Sequence, residues 1–384
     1  MGIARMFRKS FGHRPDYAII LSGLFLIVIG LLFLSSASSD LAKIKYNDTY
    51  YFLKHQIING FFPGLLGFFV GMGIYYRRWK KFAPLLLLLN LVLLVLVFTP
   101  LGYEAHGANR WVQLGPLSFQ PSEFLKITFV LYLASLLSSA SLRNKKKGWE
   151  TYWLFLLVSG VVAGLILIQP ATTMVVIIVG AGAIMYFFSG ASFKHLALTF
   201  VLGAVLIGLL AIVTPYRLHR IAPFWNSIAQ NIAPTFVLEG IEVDRFHVNQ
   251  SLTSIGTGGL FGVGFGKSTS KYSVLPEPMG DSIFSVIAEE IGFVGSVIVL
   301  GLYLLLFWRA TMLVKNSHDD FARLFVLGFV SVIMIQTIIH VAANSGLLPF
   351  TGVPLPFISY GGTSLAVSMT MLGIMAGVSK HANY

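Results

Sequence analysis

Residues 82–100 read FAPLLLLLNLVLLVLVFTP, and this stretch decides the fold class. It carries no charge, and Asn90 and Thr99 are its only polar side chains. Its apolar residues run on continuously instead of recurring every third or fourth position, so a helix made from it has no face suited to water. A helix of roughly 20 such residues matches the hydrocarbon thickness of a bilayer. Working outward, nine further runs have the same character: 17–37, 57–75, 123–142, 150–168, 171–189, 194–214, 282–308, 322–343 and 357–378. Runs 150–168 and 171–189 abut at Gln169-Pro170, where proline disfavours a continuous helix.

Composition agrees. Of 384 residues, 56% are hydrophobic and 11% charged, whereas soluble domains carry about a quarter charged residues. That excludes a water-soluble enzyme, and disorder as well, which needs low hydrophobicity. With no cysteine there are no disulfides, iron–sulfur clusters or thiolate zinc sites. The expected fold is an all-α polytopic membrane protein, one membrane domain over 1–384. It has ten transmembrane helices and a large extracytoplasmic loop, 215–281, between helices seven and eight.

The first run follows Arg5, Arg8, Lys9 and Arg14, and Ser36-Ala37-Ser38 resembles a cleavage site. The run exceeds the usual 7–15-residue core of a signal peptide, so an uncleaved first span is expected. Ten spans place both termini on one side. With that side cytoplasmic, 17 basic residues lie inside and 9 outside, with Lys126 in a span. Five of the nine belong to 215–281, a loop too long for the positive-inside rule to govern. The net charge of +12 is thereby accounted for, and no basic patch is left to suggest nucleic acid.

Loop 215–281 holds Glu239, Glu242 and Asp244, then Arg245-Phe246-His247-Val248-Asn249-Gln250. Its length and its aromatic residues suggest a partly embedded structure at the rim of a site. The glycine-rich segment 256–268, GTGGLFGVGFGKS, fails as a Walker A loop because Phe261 stands where glycine is needed. A dinucleotide fingerprint fails at the same position. The glycines instead suit tight turns and close backbone approach.

Asp281 or Ser282 can cap span eight, and Asp281, Ser285 and Glu289 share a helical face. Glu289 is expected in a water-filled cavity and Glu290 at the polar interface, since charges deep in a span cost roughly 2.5–3.5 kcal/mol. Glu123 and Lys126 lie three apart on span four, as an ion pair would. Gln336, His340 and Asn344 form a polar stripe suited to interhelical hydrogen bonding.

Several segments together resemble the SEDS family of shape, elongation, division and sporulation polymerases, which includes FtsW and RodA. Asn109–Pro116 (NRWVQLGP) and Phe119–Lys126 (FQPSEFLK) match its signature before span four. Pro354–Ser364 (PLPFISYGGTS) matches the one entering span ten. Gly258-Gly259-Leu260, Leu275-Pro276-Glu277 and Glu289-Glu290 also fit. The resemblance implies ten spans and a peptidoglycan glycosyltransferase acting on lipid II, a disaccharide on undecaprenyl diphosphate, at the outer face of the membrane. It also implies a class B penicillin-binding protein, a transpeptidase, as partner. By resemblance Asp244 is the essential loop carboxylate, and Glu123 with Lys126 are the functional pair. Ser35–Ser38 and Asn344–Pro349 look slightly more FtsW-like than RodA-like.

Two departures stand out. The family usually has Gln/Glu-Pro-Asp and a Gly-Thr-like step between spans five and six, where this chain has Gln169-Pro170-Ala171-Thr172-Thr173. The missing aspartate's role would be unfilled or fall to Gln169 or Thr172. In the loop, Arg245 replaces the usual proline after Asp244, and Asn249-Gln250 occupies the Tyr/Phe-Gln pair.

Glycosyl transfer needs a base for the acceptor hydroxyl and stabilisation for the leaving diphosphate. Asp244 is the expected base. Arg110, Arg217, Arg220, Lys267 and Lys271 are outer-side cations for the diphosphate, and Gln250, Glu277 and Glu289 join Glu123 and Lys126 as substrate-binding candidates. A divalent cation could bridge phosphate oxygens, although no cage for one is legible. The rivals are an elongation-type polymerase and a lipid II flippase without bond chemistry, which would need no carboxylate in this loop.

Overall fold

The computed structural model describes residues 13–105, 108–115, 117–139, 148–213, 246–272 and 275–382. Each of the ten apolar runs coincides with a helix. In chain order these are α1 (Tyr17–Tyr46), α2 (Tyr51–Gly73), α3 (Tyr76–Leu96), α4 (Pro121–Leu137), α5 (Gly148–Ile168), α6 (Thr172–Phe188) and α7 (Phe193–Val213). After the short α8 (Phe246–Gly258) come α9 (Ile283–Asn316), α10 (Asp320–Asn344) and α11 (Gly362–Ser379). Seven of them, α1, α2, α3, α5, α9, α10 and α11, are long and apolar enough to cross a membrane by length and composition.

The first helix begins where Asp16 accepts hydrogen bonds from the amides of Ala18 and Ile19. The other carboxylate oxygen of Asp16 binds Arg309, near the far end of α9, at 2.7 Å. Beside it the His13 amide donates to the Lys380 carbonyl, and Arg77 pairs with Asp319. The first and last described residues therefore lie at one end of the bundle, with the α2–α3 and α9–α10 turns.

Packing at the centre depends on small residues. Glycines 64, 67 and 71 of α2 lie against α11, and a Cβ on Gly373 would meet the Phe68 carbonyl oxygen at 2.2 Å. Lipid supplies no hydrophobic drive between helices, so close backbone approach of this kind carries the association. α10 and α11 are the most enclosed spans.

The all-α polytopic fold is as expected, and three features refine it. The chain is not purely helical: β1 (Gly102–Ala105), β2 (Ala108–Leu114) and β3 (Leu117–Phe119) form an antiparallel meander at the end opposite the termini. Tyr103 faces Trp111, and Val112 faces Phe119, pairs of β-favouring residues. The helix of the tenth apolar run, α11, begins at Gly362, not 357, because the segment before it is tied down by side chains. Gln336 donates to the Pro354 carbonyl at 2.6 Å, Tyr303 to that of Pro356, and the Gly361 amide to Gln56. Finally, α9 is 34 residues long and breaks at Gly292, whose φ of +67° and ψ of −168° leave the helix.

Candidate active site

The end opposite the termini gathers most of the polar side chains singled out above. Pro121 opens α4, and Glu123 and Lys126 lie in its first two turns. Their side chains meet at 2.7 Å and are 3% and 0% exposed. The three-residue spacing brings them together on one face of α4, which packs against α3, α6, α10 and α11. Among the described residues Glu123 is the hydrogen-bond partner of the Lys126 ammonium, which has three protons to donate.

Arg110 projects from β2 and donates to the carbonyls of Gln169 and Pro170 at 3.0 and 2.7 Å. It thus holds the turn between α5 and α6, where the family's acidic residue is missing. Gln169 is buried there and donates to the Leu94 carbonyl at the end of α3. Thr173 donates to the Thr351 carbonyl at 3.4 Å. The turn from Gln169 to Thr173 therefore joins three segments through an amide, a guanidinium and a hydroxyl.

The glycine-rich segment docks into the break in α9. Gly262 has a φ of +80°, and a Cβ there would lie 2.2 Å from the Glu290 carbonyl oxygen. Backbone bonds run both ways: the amides of Val263 and Gly264 donate to the carbonyls of Glu289 and Glu290, and those of Phe293 and Val294 donate to Gly259 and Leu260. Gly292 frees these α9 groups from the helical ladder, and the loop satisfies them, as buried backbone requires. The glycines serve backbone approach, as their sequence suggests.

Glu289 and Glu290 depart from expectation. Glu289 lies in no water-filled cavity; its side chain is fully buried under protein donors. One oxygen accepts from the hydroxyls of Ser254 and Ser268 at 2.8 and 2.7 Å. The other accepts from the Thr269 amide at 2.9 Å and the Ser270 amide at 3.3 Å. Glu290 is not solvated either, being 1% exposed and paired with Lys271 at 3.0 Å. It lies 19 residues before Arg309, about 28 Å of helix, so the two mark opposite edges of the apolar layer. The depth fits an interface, but the loop seals the carboxylate from water. Lys271 likewise turns inward: its ammonium donates to Glu290, to Ser36 of α1 and to the Gly266 carbonyl.

Lys267 and Glu277 are exposed, and Gln250 is half-buried on α8. Ser282 stands at the start of α9, but its hydroxyl donates to the Pro276 carbonyl instead of capping. Ser285 donates to Asn344 at 2.8 Å, and His340 contacts the Val353 carbonyl, so the stripe on α10 does bind neighbouring segments. Asp244, Arg217 and Arg220, with Glu239 and Glu242, lie outside the described residues. The partners Ser36, Ser254 and Ser268 were missed. A run of serines within the apolar α1 was the one visible signal.

Among the described residues no three His, Asp or Glu side chains gather as a metal cage would need.

Fold and site together define a multi-pass α-helical membrane protein with paired charges buried at one end of its bundle. A family profile described as "Cell cycle protein", covering FtsW, RodA and SpoVE, matches residues 17–384. The chain belongs to this family, the SEDS proteins. It is 33% identical to stage V sporulation protein E of Bacillus subtilis, over 96% of this chain and 98% of that one. It is 34% identical to the probable peptidoglycan glycosyltransferase FtsW of Trichlorobacter lovleyi, over 95% of this chain and 93% of that one. Among solved structures it resembles the rod shape determining protein RodA of Thermus thermophilus, with a TM-score of 0.70, 28% identity and coverage of 96% and 98%. It also resembles a chain from "Structural coordination of polymerization and crosslinking by a peptidoglycan synthase complex", with a TM-score of 0.76, 27% identity and coverage of 96% and 98%.

Proposed function

We propose that this chain is a peptidoglycan glycosyltransferase that polymerises lipid II at the outer face of the bacterial cytoplasmic membrane, in cell division. The observation that carries the reading is likeness over nearly the whole chain to relatives named probable peptidoglycan glycosyltransferase FtsW. The site supports it physically. Lys126 is a buried cation with donors to spare beyond Glu123, next to the end of the bundle where the polar segments converge. Such a group suits a diphosphate, whose charge grows as it leaves.

In the transfer, the acceptor sugar hydroxyl oxygen bonds to the anomeric carbon of the donor, and the bond from that carbon to the diphosphate oxygen breaks. The hydroxyl proton passes to a carboxylate, for which Asp244 is the candidate, two residues before α8. Undecaprenyl diphosphate leaves with the bonding electron pair. Arg217, Arg220 and Lys267 are further candidates to meet it. Arg110 braces the α5–α6 turn instead, and Lys271 is consumed by Glu290.

A class B penicillin-binding protein is the proposed partner, since each glycan strand must be crosslinked by a transpeptidase. The end carrying the β-meander and α8 faces outward, and both termini face the cytoplasm. The chain has no cysteine of its own, so single introduced cysteines report sidedness cleanly. A cysteine at position 146 should resist impermeant reagents in intact cells, and labelling there would reverse the orientation.

The direct test is purified protein with lipid II and no other polymerase. Glycan ladders on a gel are expected. Lipid II crossing vesicle membranes with no glycan formed would make the chain a flippase instead.

A further inference from the structure

Glu289 was expected to meet substrate, yet five donors from its own chain surround it, and they come from two segments that flank the glycine-rich loop. Ser254 belongs to α8, the helix that enters toward the α9 break. Ser268, Thr269 and Ser270 belong to the stretch that leaves it. The Ser254 hydroxyl also lies 3.3 Å from the Ser285 carbonyl, and a Cβ on Gly258 would collide with the Ala288 carbonyl oxygen at 2.0 Å. α8 and the first turns of α9 are thus in backbone contact, with Glu289 on the seam. A substrate group could reach the Glu289 carboxylate only by displacing these donors, since the residue has 0% exposure.

We propose that Glu289 is a positioning residue. By binding the two limbs that flank the glycine-rich loop at once, it fixes the height and rotation of α8, the helix that begins two residues after Asp244 in the chain. This rests on the polymerase reading above. Displacing reacting groups by about 1 Å can cost 10²-fold in rate, so a support at this distance from the chemistry can still govern it.

The hydrogen bonds suggest the discriminating variant. One carboxylate oxygen faces two hydroxyls, which can turn to accept; the other faces two backbone amides, which can only donate. A glutamine can therefore place its carbonyl oxygen at the amides and its NH2 at the hydroxyls. An alanine can do neither. Were Glu289 a proton carrier or a needed charge, glutamine would be as damaging as alanine.

The experiment uses the full-length protein in detergent or nanodiscs, with a nitroxide pair at Tyr50→Cys and Thr253→Cys, both exposed positions. Distance distributions and lipid II polymerisation are measured for the labelled parent and for Glu289→Ala and Glu289→Gln. Alanine should broaden the distance distribution and lower kcat about 10²-fold with KM changed less than about threefold. Glutamine should restore the narrow distribution and most of the rate, to within about fivefold. Narrow distributions in both variants, or a glutamine variant as slow as alanine, would overturn the proposal. A parent that makes no glycan but shows the narrow-to-broad change would leave the clamp standing and sink the polymerase reading instead. Ser254→Ala with Ser268→Ala removes donors without touching the carboxylate, and a normal distance in that double variant also counts against the clamp.

Discussion

Two buried lysine–glutamate pairs lie at the same end of the bundle, and they are built differently. Glu123 and Lys126 are neighbours on α4, so the geometry of one helix suffices to bring them together. Glu290 and Lys271 are 19 residues apart and meet only because the glycine-rich loop enters the break in α9. The Lys271 ammonium has three acceptors for its three protons: Glu290, Ser36 and Gly266. The Lys126 ammonium has one among the described residues. From sequence Lys271 was a candidate for the diphosphate and Lys126 a member of a functional pair with Glu123. Counting donors separates them: Lys271 is a tertiary tie between α1, α9 and the loop, whereas Lys126, among the described residues, is bonded to Glu123 alone, as the proposed role at the diphosphate requires.

The largest expected effects come from breaking each pair. Removing one member of a buried ion pair costs about 3–5 kcal/mol, so Lys271→Met should lower thermal stability steeply, with activity falling in step. Adding Glu290→Gln should recover much of both. Lys126→Met should also destabilise, and Glu123→Gln added to it should recover stability, but polymerisation should stay low because the substrate has lost its cation. If the Lys126/Glu123 double variant regains activity along with stability, the two pairs do the same job and the contrast fails.

A smaller effect sharpens the claim about the loop. Gly262→Ala places a side chain in a left-handed backbone conformation and against the Glu290 carbonyl. Strain of that kind costs about 1–3 kcal/mol. Melting should drop accordingly, whereas alanine at Gly160, which meets open space, should leave it unchanged.

The smallest effect lies at the other end. Asp319 is partly buried, which raises its pKa, but the Arg77 guanidinium, the Phe321 amide and the Tyr76 hydroxyl outweigh burial and hold it below the ordinary value. A depressed carboxylate contributes stability above its unfolded pKa of about 3.9, and loses it as pH falls through the folded value. The side chain of Arg77 is 61% exposed, so solvent screening keeps the worth of the pair below about 1 kcal/mol. Asp319→Asn should therefore shift melting slightly at pH 7, and the shift should shrink as pH falls below the unfolded pKa and through the depressed folded value.

Unbroken apolar length made the helices legible because lipid demands it, and all ten runs became helices. Where boundaries moved, a polar contact moved them. Gln336, Tyr303 and Gln56 hold residues 354–361 out of helix, and Gly292 lets α9 break without ending. The β-meander was missed because its strands are three to seven residues long, inside a segment read only as a link between spans. The Glu123–Lys126 pair was legible from helical spacing. Lys271 with Glu290 was not, since no local pattern brings residues 36, 271 and 290 together. Gln169 shows the same limit: its place beneath α3 depends on a turn that Arg110 holds from another strand.

The most direct measurement concerns Asp244, the proposed base, two residues before α8 in the chain. Purified Asp244→Asn protein, with its transpeptidase partner present, should polymerise lipid II at least about 10²-fold more slowly, the usual share of general base catalysis, while binding lipid II nearly as well as the parent. Glu239→Gln and Glu242→Gln should be much milder. Near-normal glycan synthesis by Asp244→Asn would contradict the assignment, and a dead Glu242→Gln beside an active Asp244→Asn would move the base two residues upstream.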